Sequence, residues 1–546
     1  MSAAITGTGT AAGAIADGWF GLGEWTGIVV PLLQVANAAV IVYFFLINSG
    51  YLVMIALACV ELVQHRSKAT FTGEDETYAS RFTMPISVIV PAYNEAAGIV
   101  EAVRALLGLR YPKFEVIVVD DGSIDGTFEQ MRDAFDLVEV PYLVPAEVPV
   151  RGGVRSVHLP RISAAPLLVV RKENGGRSDA LNVGVNLSHH PLVCMVDADS
   201  ILDPRALLTV AKPFSDDPAH VVATGGVVRI ANGCTIVAGR VIDARIPRTW
   251  LPRIQVVEYL RAFLLGRAGW SRLGCLTVIS GAFGLFRRDL LVEFGGLDND
   301  CVGEDAEIVV RMHRRLHELR RPYRIVFVAE PICWSEAPAT FRALGSQRRR
   351  WHRGLTEILI KHWRVIGNPR YGRVGVLALP YLVIFELIAP FVELFGLFVL
   401  LPVSFAFGVV NLAFALLFLL IAYGYAMLVD MVAITADEYF YHPYRRWRDI
   451  GAMMLAGGAE NIGFRQLTAW WRLRGMWAAL RRSEQVWGPM PRAGFEKAGE
   501  EEKQWVAAPP VARSRPGVTA GRAAHSPPAG APPKPRKERR KSRRDQ

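Results

Sequence analysis

The sequence predicts an α/β domain built on a parallel or mixed sheet, joined to α-helical transmembrane segments. Two observations carry this. From residue 84 to about 330, short apolar runs alternate with helical stretches, the pattern of β-α-β units covered on both faces. Outside that region lie apolar runs long enough to cross a bilayer, and hydrophobic residues make up 51% of the 546-residue chain, high for a soluble protein.

At the N-terminus, residues 1–27 are rich in Gly, Ala and Thr, without Lys or Arg, and read as a disordered tail outside the membrane. Residues 28–65 hold an interfacial helix and then a first span over roughly 38–61. The first basic residue is Arg66, so the positive-inside rule puts the N-terminus outside and the chain beyond residue 65 in the cytoplasm. No basic segment opens the chain, so no cleaved signal peptide is expected. Strands are expected at 86–90, 114–119, 167–171, 192–196, 221–230, 276–286 and 324–328. Helices are expected at 103–109, 127–135, 178–187, 254–267, 304–319 and 340–363. Residues 137–166 carry no assignable pattern. The cytoplasmic domain, with its interfacial helices, is bounded at 80–366.

Spans at 374–401 and 409–433 form a transmembrane hairpin, 374–433. Its 402–408 linker is uncharged, and basic residues flank its other ends, as the charge rule requires. Residues 434–495 read as an interfacial or re-entrant segment, because 450–481 carries Glu460, Arg465, Arg472 and Arg474. Residues 496–546 read as a disordered basic tail. Its last 13 residues hold eight Lys/Arg against two acids, so the formal net charge of +11 is no global property, and no nucleic-acid partner is expected. The six cysteines include no Cys-x-x-Cys pair, which argues against a zinc or disulfide framework and fits reduced thiols.

The acids carry the chemistry. Asp197 and Asp199 follow the apolar run 192–196, at the strand edge where open α/β sheets bind ligands. Two carboxylates that close suit a hard divalent cation, Mg2+ or Mn2+, that also bridges phosphates. Asp120 and Asp121 end another strand and could hold a base and ribose, or the Asp-Asp-Gly-Ser turn could simply cap a helix. The Lys172-Glu-Asn-Gly-Gly-Arg177 loop precedes a helix. Its amides suit a phosphate, with Lys172 and Arg177 adding charge, or it is an ordinary turn with solvated cations. Gly303-Glu304-Asp305 opens a helix, and one of its carboxylates could take the proton from an attacking hydroxyl, or Glu304 is a simple N-terminal acid. There burial must outweigh the helix dipole to keep a carboxyl basic. Gln347, Arg350 and Trp351 share one helical face. Arg350 can grip a diphosphate and Trp351 can stack on a sugar. Arg348 and Arg349 are expected at lipid headgroups or solvent. Glu386 and Glu393 share a face of a span, lining a path or pairing with arginines.

Together these motifs resemble the processive inverting glycosyltransferases of family 2, the group of poly-N-acetylglucosamine, hyaluronan, chitin and cellulose synthases. The resemblance covers roughly 84–490 and implies a GT-A fold, a Rossmann-like mixed sheet, on the cytoplasmic face. It implies that Pro91, Ala92, Tyr93, Glu95, Asp120 and Asp121 bind the uridine, and that Ser280, Gly281, Ala282 and Phe283 line the sugar site. Asp197 and Asp199 match the metal-binding Asp-x-Asp, Asp305 the base, and Gln347, Arg350 and Trp351 the Gln-x-x-Arg-Trp motif. Trp487-Gly488 with Arg492 matches a late Trp-Gly motif. Two departures stand out: Arg177 replaces the usual Lys, and Gly303 the usual Thr. The implied partners are a UDP-sugar donor, a growing glycan or lipid acceptor, membrane lipid and an accessory export subunit. Single-sugar transfer to a lipid, and a nucleotide-sugar-binding membrane sensor without turnover, are the alternatives.

Overall fold

The computed structural model describes residues 26–69, 83–161, 165–237, 239–442, 444 and 446–482. Most of the 1–27 tail, the Trp487-Gly488 and Arg492 motif and the 496–546 tail lie outside the described residues.

Twelve strands are present among the described residues. They are β1 Ile86–Ala92, β2 Phe114–Asp120, β3 Leu137–Val140, β4 Val154–Pro160, β5 Leu167–Lys172, β6 Leu192–Val196, β7 Ile201–Leu202, β8 Val221–Ile230, β9 Thr235–Val237, β10 Arg240–Asp243, β11 Phe283–Arg287 and β12 Arg324–Ser335. Ten form one sheet in the order β3-β4-β5-β2-β1-β6-β11-β8-β12-β7, and β9 and β10 form a separate hairpin. The centre, β5-β2-β1-β6, is parallel. β11 runs antiparallel to both β6 and β8, so the sheet is mixed.

Alternate residues of the central strands enter two cores. Ile89, Ile117, Val193 and Met195 join one; Val88, Val90, Val118, Cys194 and Val196 join the other. Both faces are therefore covered, which is why these strands read as continuous apolar runs rather than alternating ones. The first core continues through Leu265 and Ala268 to Ile55 and Ala58 of the first membrane helix and Val429 and Ala433 of the third.

Among the described residues three helices, Thr26–Gln64, Val374–Ala406 and Leu412–Tyr441, are long and apolar enough to cross a membrane by length and composition. The first corrects an expectation. No break separates an interfacial piece from a span; one helix runs over Thr26–Ala69. Pro31 lies close enough to its start that little helical hydrogen bonding is lost. The third span also runs on to Tyr441, past the expected end at 433. Beyond it, 447–480 is not one straight span: Ile462 and Gly463 leave helical geometry, Gly463 at φ +80°.

Two further differences bear on the site. The unassigned stretch contains β3 and β4, an antiparallel edge on β5. The expected strand 276–286 is a strand only from Phe283. Leu276 and Ile279 are apolar because they are buried, not because they are paired, and the chain between them and β11 forms a loop at the site.

Candidate active site

β1 and β2 end side by side, with Ala92 paired to Asp120, and this register brings the first two motifs together. Asn94 adopts φ +56°, so the chain turns there and locks onto the neighbouring loop. Its amide donates to Ser123 Oγ at 3.0 Å and its Oδ1 accepts from Ile124 N at 2.9 Å. The Glu95 amide donates to Thr127 Oγ1 at 2.9 Å. Pro91, Ala92, Tyr93, Glu95 and Asp120 thus converge at one sheet edge, with Tyr93 48% exposed. Asp120 is buried and accepts from Ser123 N at 3.1 Å, so it also closes its own turn.

Asp121 and Lys172 are placed differently from the expectation. The anion that meets the Gly175 and Gly176 amides is the carboxylate of Asp121, at 3.0 and 2.8 Å. Lys172 is fully buried between Asp121, at 2.6 Å, and Asp179, at 2.9 Å. Asp179 in turn accepts from the Arg151 and Gly152 amides at 2.6 and 2.9 Å. Lys172 therefore staples the loop from beneath and does not face a phosphate. Burial pushes the Asp121 carboxyl up, with Lys172 and the two glycine amides opposing.

Arg177, the residue that departs from the family pattern, occupies the centre. It opens the Arg177–Leu187 helix and reaches three groups. Its Nε and Nη2 donate to Asp197 Oδ1 at 2.9 and 2.7 Å, its Nη1 to Glu304 Oε1 at 2.5 Å, and its Nη2 to the Gly281 carbonyl at 2.7 Å. The Gly281 amide donates to Asp305 Oδ2 at 3.0 Å. One guanidinium and one loop residue thus tie the Asp-x-Asp turn to the start of the Glu304–Glu318 helix. Burial pushes the Glu304 carboxyl up, Asp305 adds to this and Arg177 opposes it. At Glu304, then, desolvation outweighs the helix dipole.

Within 280–283, Ala282 accepts the Asp197 amide at 3.4 Å and Ser280 is partly exposed. Phe283 corrects an expectation: its side chain is fully buried in the core, because β11 turns that residue inward. It cannot line a sugar site.

The Phe341–Lys361 helix is capped by Thr340, whose Oγ1 accepts from Ala343 N. It reaches the site because Gly354 meets Gly303. A Cβ on Gly354 would stand 2.9 Å from Gly303 N, and one on Gly303 would stand 3.2 Å from Ile358 Cδ1, so the helix seats where this chain has Gly in place of Thr. Arg350 is largely buried. Desolvation pulls its pKa down, and Glu304 and Asp197 pull it up, so it lies in the field of the acidic cluster. Gln347 lies beside Tyr259. Trp351 packs on Tyr259 at 6.4 Å and Phe263 at 5.8 Å between centroids. Arg348 corrects another expectation: it is buried, pairs with Glu258 at 2.7 and 2.6 Å, and stacks 4.6 Å over Trp351. Arg349 is exposed.

Asp197 and Asp199 lie in the turn between β6 and β7, both partly exposed. No cluster of three His, Cys, Asp or Glu able to hold a metal occurs among the described residues. Two carboxylates are an incomplete shell for a hard cation, but they match the way Mg2+ is held by one or two carboxylates plus substrate phosphates. The residues fit such an ion if the ligand supplies the remaining oxygens.

Sequence reasoning underrates Arg177 and misses Tyr259, Phe263 and Glu258. The first is signalled by its place immediately after Gly-Gly at a helix start. The others are on the 250–272 helix, whose amphipathic pattern does not say which polar residues turn inward.

Residues 84–354 match the family model described as glycosyltransferase like family 2. The poly-β-1,6-N-acetyl-D-glucosamine synthase of Staphylococcus aureus is 28% identical over 281 residues, covering 50% of this chain and 56% of that protein. The synthase of the same name from Staphylococcus epidermidis is 27% identical over 305 residues, covering 56% and 61%. The chain thus spans little more than half the length of these relatives. A mannosyltransferase from Pyrobaculum calidifontis, solved with GDP-Man and Mn2+, aligns over 77% of this chain and 99% of its own, with 20% identity and a TM-score of 0.44. The mixed α/β sheet and the match agree: residues 84–354 form a glycosyltransferase family 2 domain.

Proposed function

We propose that the chain is a membrane-embedded inverting glycosyltransferase that extends a β-linked glycan from a UDP-sugar. UDP-N-acetylglucosamine is the first donor to test, because that sugar is in the name of the relatives; UDP-glucose is the second. The observation that carries the reading is the Gly281 loop residue. Its N–H fixes Asp305 and its C=O fixes the guanidinium that holds Asp197, so a base and a donor-side carboxylate are aligned by one loop.

Asp305 takes the proton of the acceptor hydroxyl, and the oxygen attacks C1 from the side opposite the leaving diphosphate, inverting the anomeric centre. Pro91, Ala92, Tyr93, Glu95 and Asp120 border the uridine. Ser280, Gly281 and Ala282 border the sugar. Arg350 approaches the diphosphate, and Gln347 and Trp351 the acceptor. A divalent ion, Mg2+ or Mn2+, held by Asp197 and Asp199, would neutralise the leaving diphosphate. Arg66 and Lys68 after the first span and the uncharged 402–408 linker support an N-terminus outside and a catalytic domain in the cytoplasm of a bacterial inner membrane. With three candidate spans among the described residues, export of a polymer would call on an accessory subunit.

The test offers membranes a panel of UDP-sugars, measures UDP release with and without chelator, and sizes the product. Turnover with one UDP-sugar, lost in chelator and lost in Asp305→Asn while UDP still binds, is expected. A ladder of products identifies polymer synthesis, and one discrete glycolipid identifies single transfer. UDP binding with no release under any condition would overturn the reading in favour of a sensor.

A further inference from the structure

Arg267 is a buried cation with no carboxylate at ion-pair distance among the described residues. It is 7% exposed and lies on the 250–272 helix, directly after the π-helical turn Leu260–Gly266. Other arginines sheltered in the structure each hold a carboxylate: Arg177 holds Asp197 and Glu304, Arg229 holds Asp437, Arg348 holds Glu258, and Arg465 holds Glu393. Arg267 instead lies 4.3 Å over the ring of Phe263, and its Nη1 is buried with no hydrogen-bond partner. A ring face offsets only part of the loss of water around a guanidinium. An orphaned buried donor is uncommon in a native structure, and a bound ligand is one way to satisfy it.

The surroundings indicate which ligand. Phe263 packs, tilted, against Tyr259 at 4.3 Å and Trp351 at 5.8 Å between centroids, so an aromatic cluster runs from the Trp351 indole to the Arg267 guanidinium. Desolvation pulls the Arg267 pKa down to about 10, and Asp305 is the acid that opposes it most; the guanidinium therefore lies on the side of the proposed base. Next to that carboxylate a second anion would be repelled. A neutral polyhydroxyl ligand would satisfy the guanidinium and present apolar C–H faces to the rings.

We propose that Arg267 and Phe263 form part of the acceptor subsite, with the guanidinium of Arg267, a residue that keeps 7% exposure, donating to a hydroxyl or acetamide oxygen of the glycan end that Asp305 activates. This rests on the functional reading above. The full-length protein is assayed with saturating UDP-N-acetylglucosamine against a titrated soluble β-1,6-linked N-acetylglucosamine tetrasaccharide, for wild type, Arg267→Gln, Arg267→Lys and Phe263→Leu. UDP binding is measured on each variant to report folding of the donor site.

Losing a hydrogen bond from a charged donor raises the acceptor KM of Arg267→Gln about ten- to a hundredfold. Arg267→Lys, which keeps a donor, recovers part of the loss, Phe263→Leu weakens acceptor binding without its charge changing, and UDP affinity stays at the wild-type value in all three. Unchanged acceptor saturation in Arg267→Gln and Arg267→Lys overturns the inference, as does an equal loss of UDP affinity. So does a response to anionic lipid vesicles instead of the tetrasaccharide. A wild type that releases no UDP with any UDP-sugar overturns the functional reading itself, a result distinguishable from all of these.

Discussion

Lys172→Met tests whether this lysine is a staple or a ligand contact. Methionine keeps much of the stem and removes the charge. The change leaves Asp121 with the Gly175 and Gly176 amides and Asp179 with the Arg151 and Gly152 amides, but both carboxylates remain buried, at 4% and 0% side-chain exposure. Removing one partner of a buried ion pair costs about 3–5 kcal/mol. At about 2–4 °C per kcal/mol for a domain of this size, the midpoint of thermal unfolding should fall by ~10 °C. The assay is tryptophan fluorescence of the full chain in detergent during heating, with UDP affinity measured well below the transition. A lower midpoint with wild-type UDP affinity at low temperature is expected, and adding Asp179→Asn should restore part of the loss, since one stranded charge is then removed. An unchanged midpoint with collapsed UDP affinity would refute the reasoning and return Lys172 to the phosphate.

Gly354→Ala places a Cβ 2.9 Å from a backbone nitrogen, which cannot move aside as a side-chain tip would. It should lower stability by about 1–3 kcal/mol and reduce kcat by displacing Arg350, read by unfolding and turnover on the same preparation. Acid should destabilise the domain in two stages, read as the unfolding midpoint against pH. Burial pulls His313 from 6.5 to about 4, so its contribution is present above pH 6.5 and lost as pH falls through 4, where the unfolded state already binds the proton. Burial pushes Glu307 up, but the His362 hydrogen bond, the Arg311 charge and Lys361 outweigh it and hold it at about 2. Its contribution is present above pH 4.5 and lost as pH falls towards 2. Each stage is worth at most about 3 kcal/mol, and a midpoint that stays flat from pH 7 to pH 4 would exclude the first.

Strand pairing is the part of this molecule most legible in the sequence. Runs such as 192–196 have to be buried on both faces, and an acid that follows one falls at the sheet edge. That logic locates Asp120, Asp197 and Asp199, and the acids that open a helix locate Asp305. It cannot tell Lys172 from Arg177, because both flank the same glycine loop. Which one turns under the loop and which crosses it depends on Asp179 and Glu304, and Glu304 is distant in sequence. Phe283 fails for a related reason, since strand alternation sets its direction and β11 starts later than the apolar run does. Arg348 reads as a lipid or solvent contact because its partner, Glu258, lies on an element 90 residues away.

The acids inside the membrane helices fit a mechanical role. Glu386 accepts from Arg472 at 3.0 Å and Glu393 from Arg465 at 3.0 Å, which favours pairing over a path for these two side chains. Arg261, on the 250–272 helix, joins Asp430 of the third span and Glu460 beyond it, and Arg229 of β8 joins Asp437 at 2.6 Å. Charges of this kind are retained in apolar surroundings only with partners in place. The Arg465–Leu480 helix that supplies two of these arginines also lies against the site helix. A Cβ on Gly345 would stand 2.8 Å from the Trp471 ring, and one on Gly475 would collide with the Arg349 carbonyl. Arg350 directly follows the second of these contacts in sequence. Its position in the field of the acidic cluster is therefore set by the Arg465–Leu480 helix as much as by the sheet, and that helix and the site form one mechanical unit.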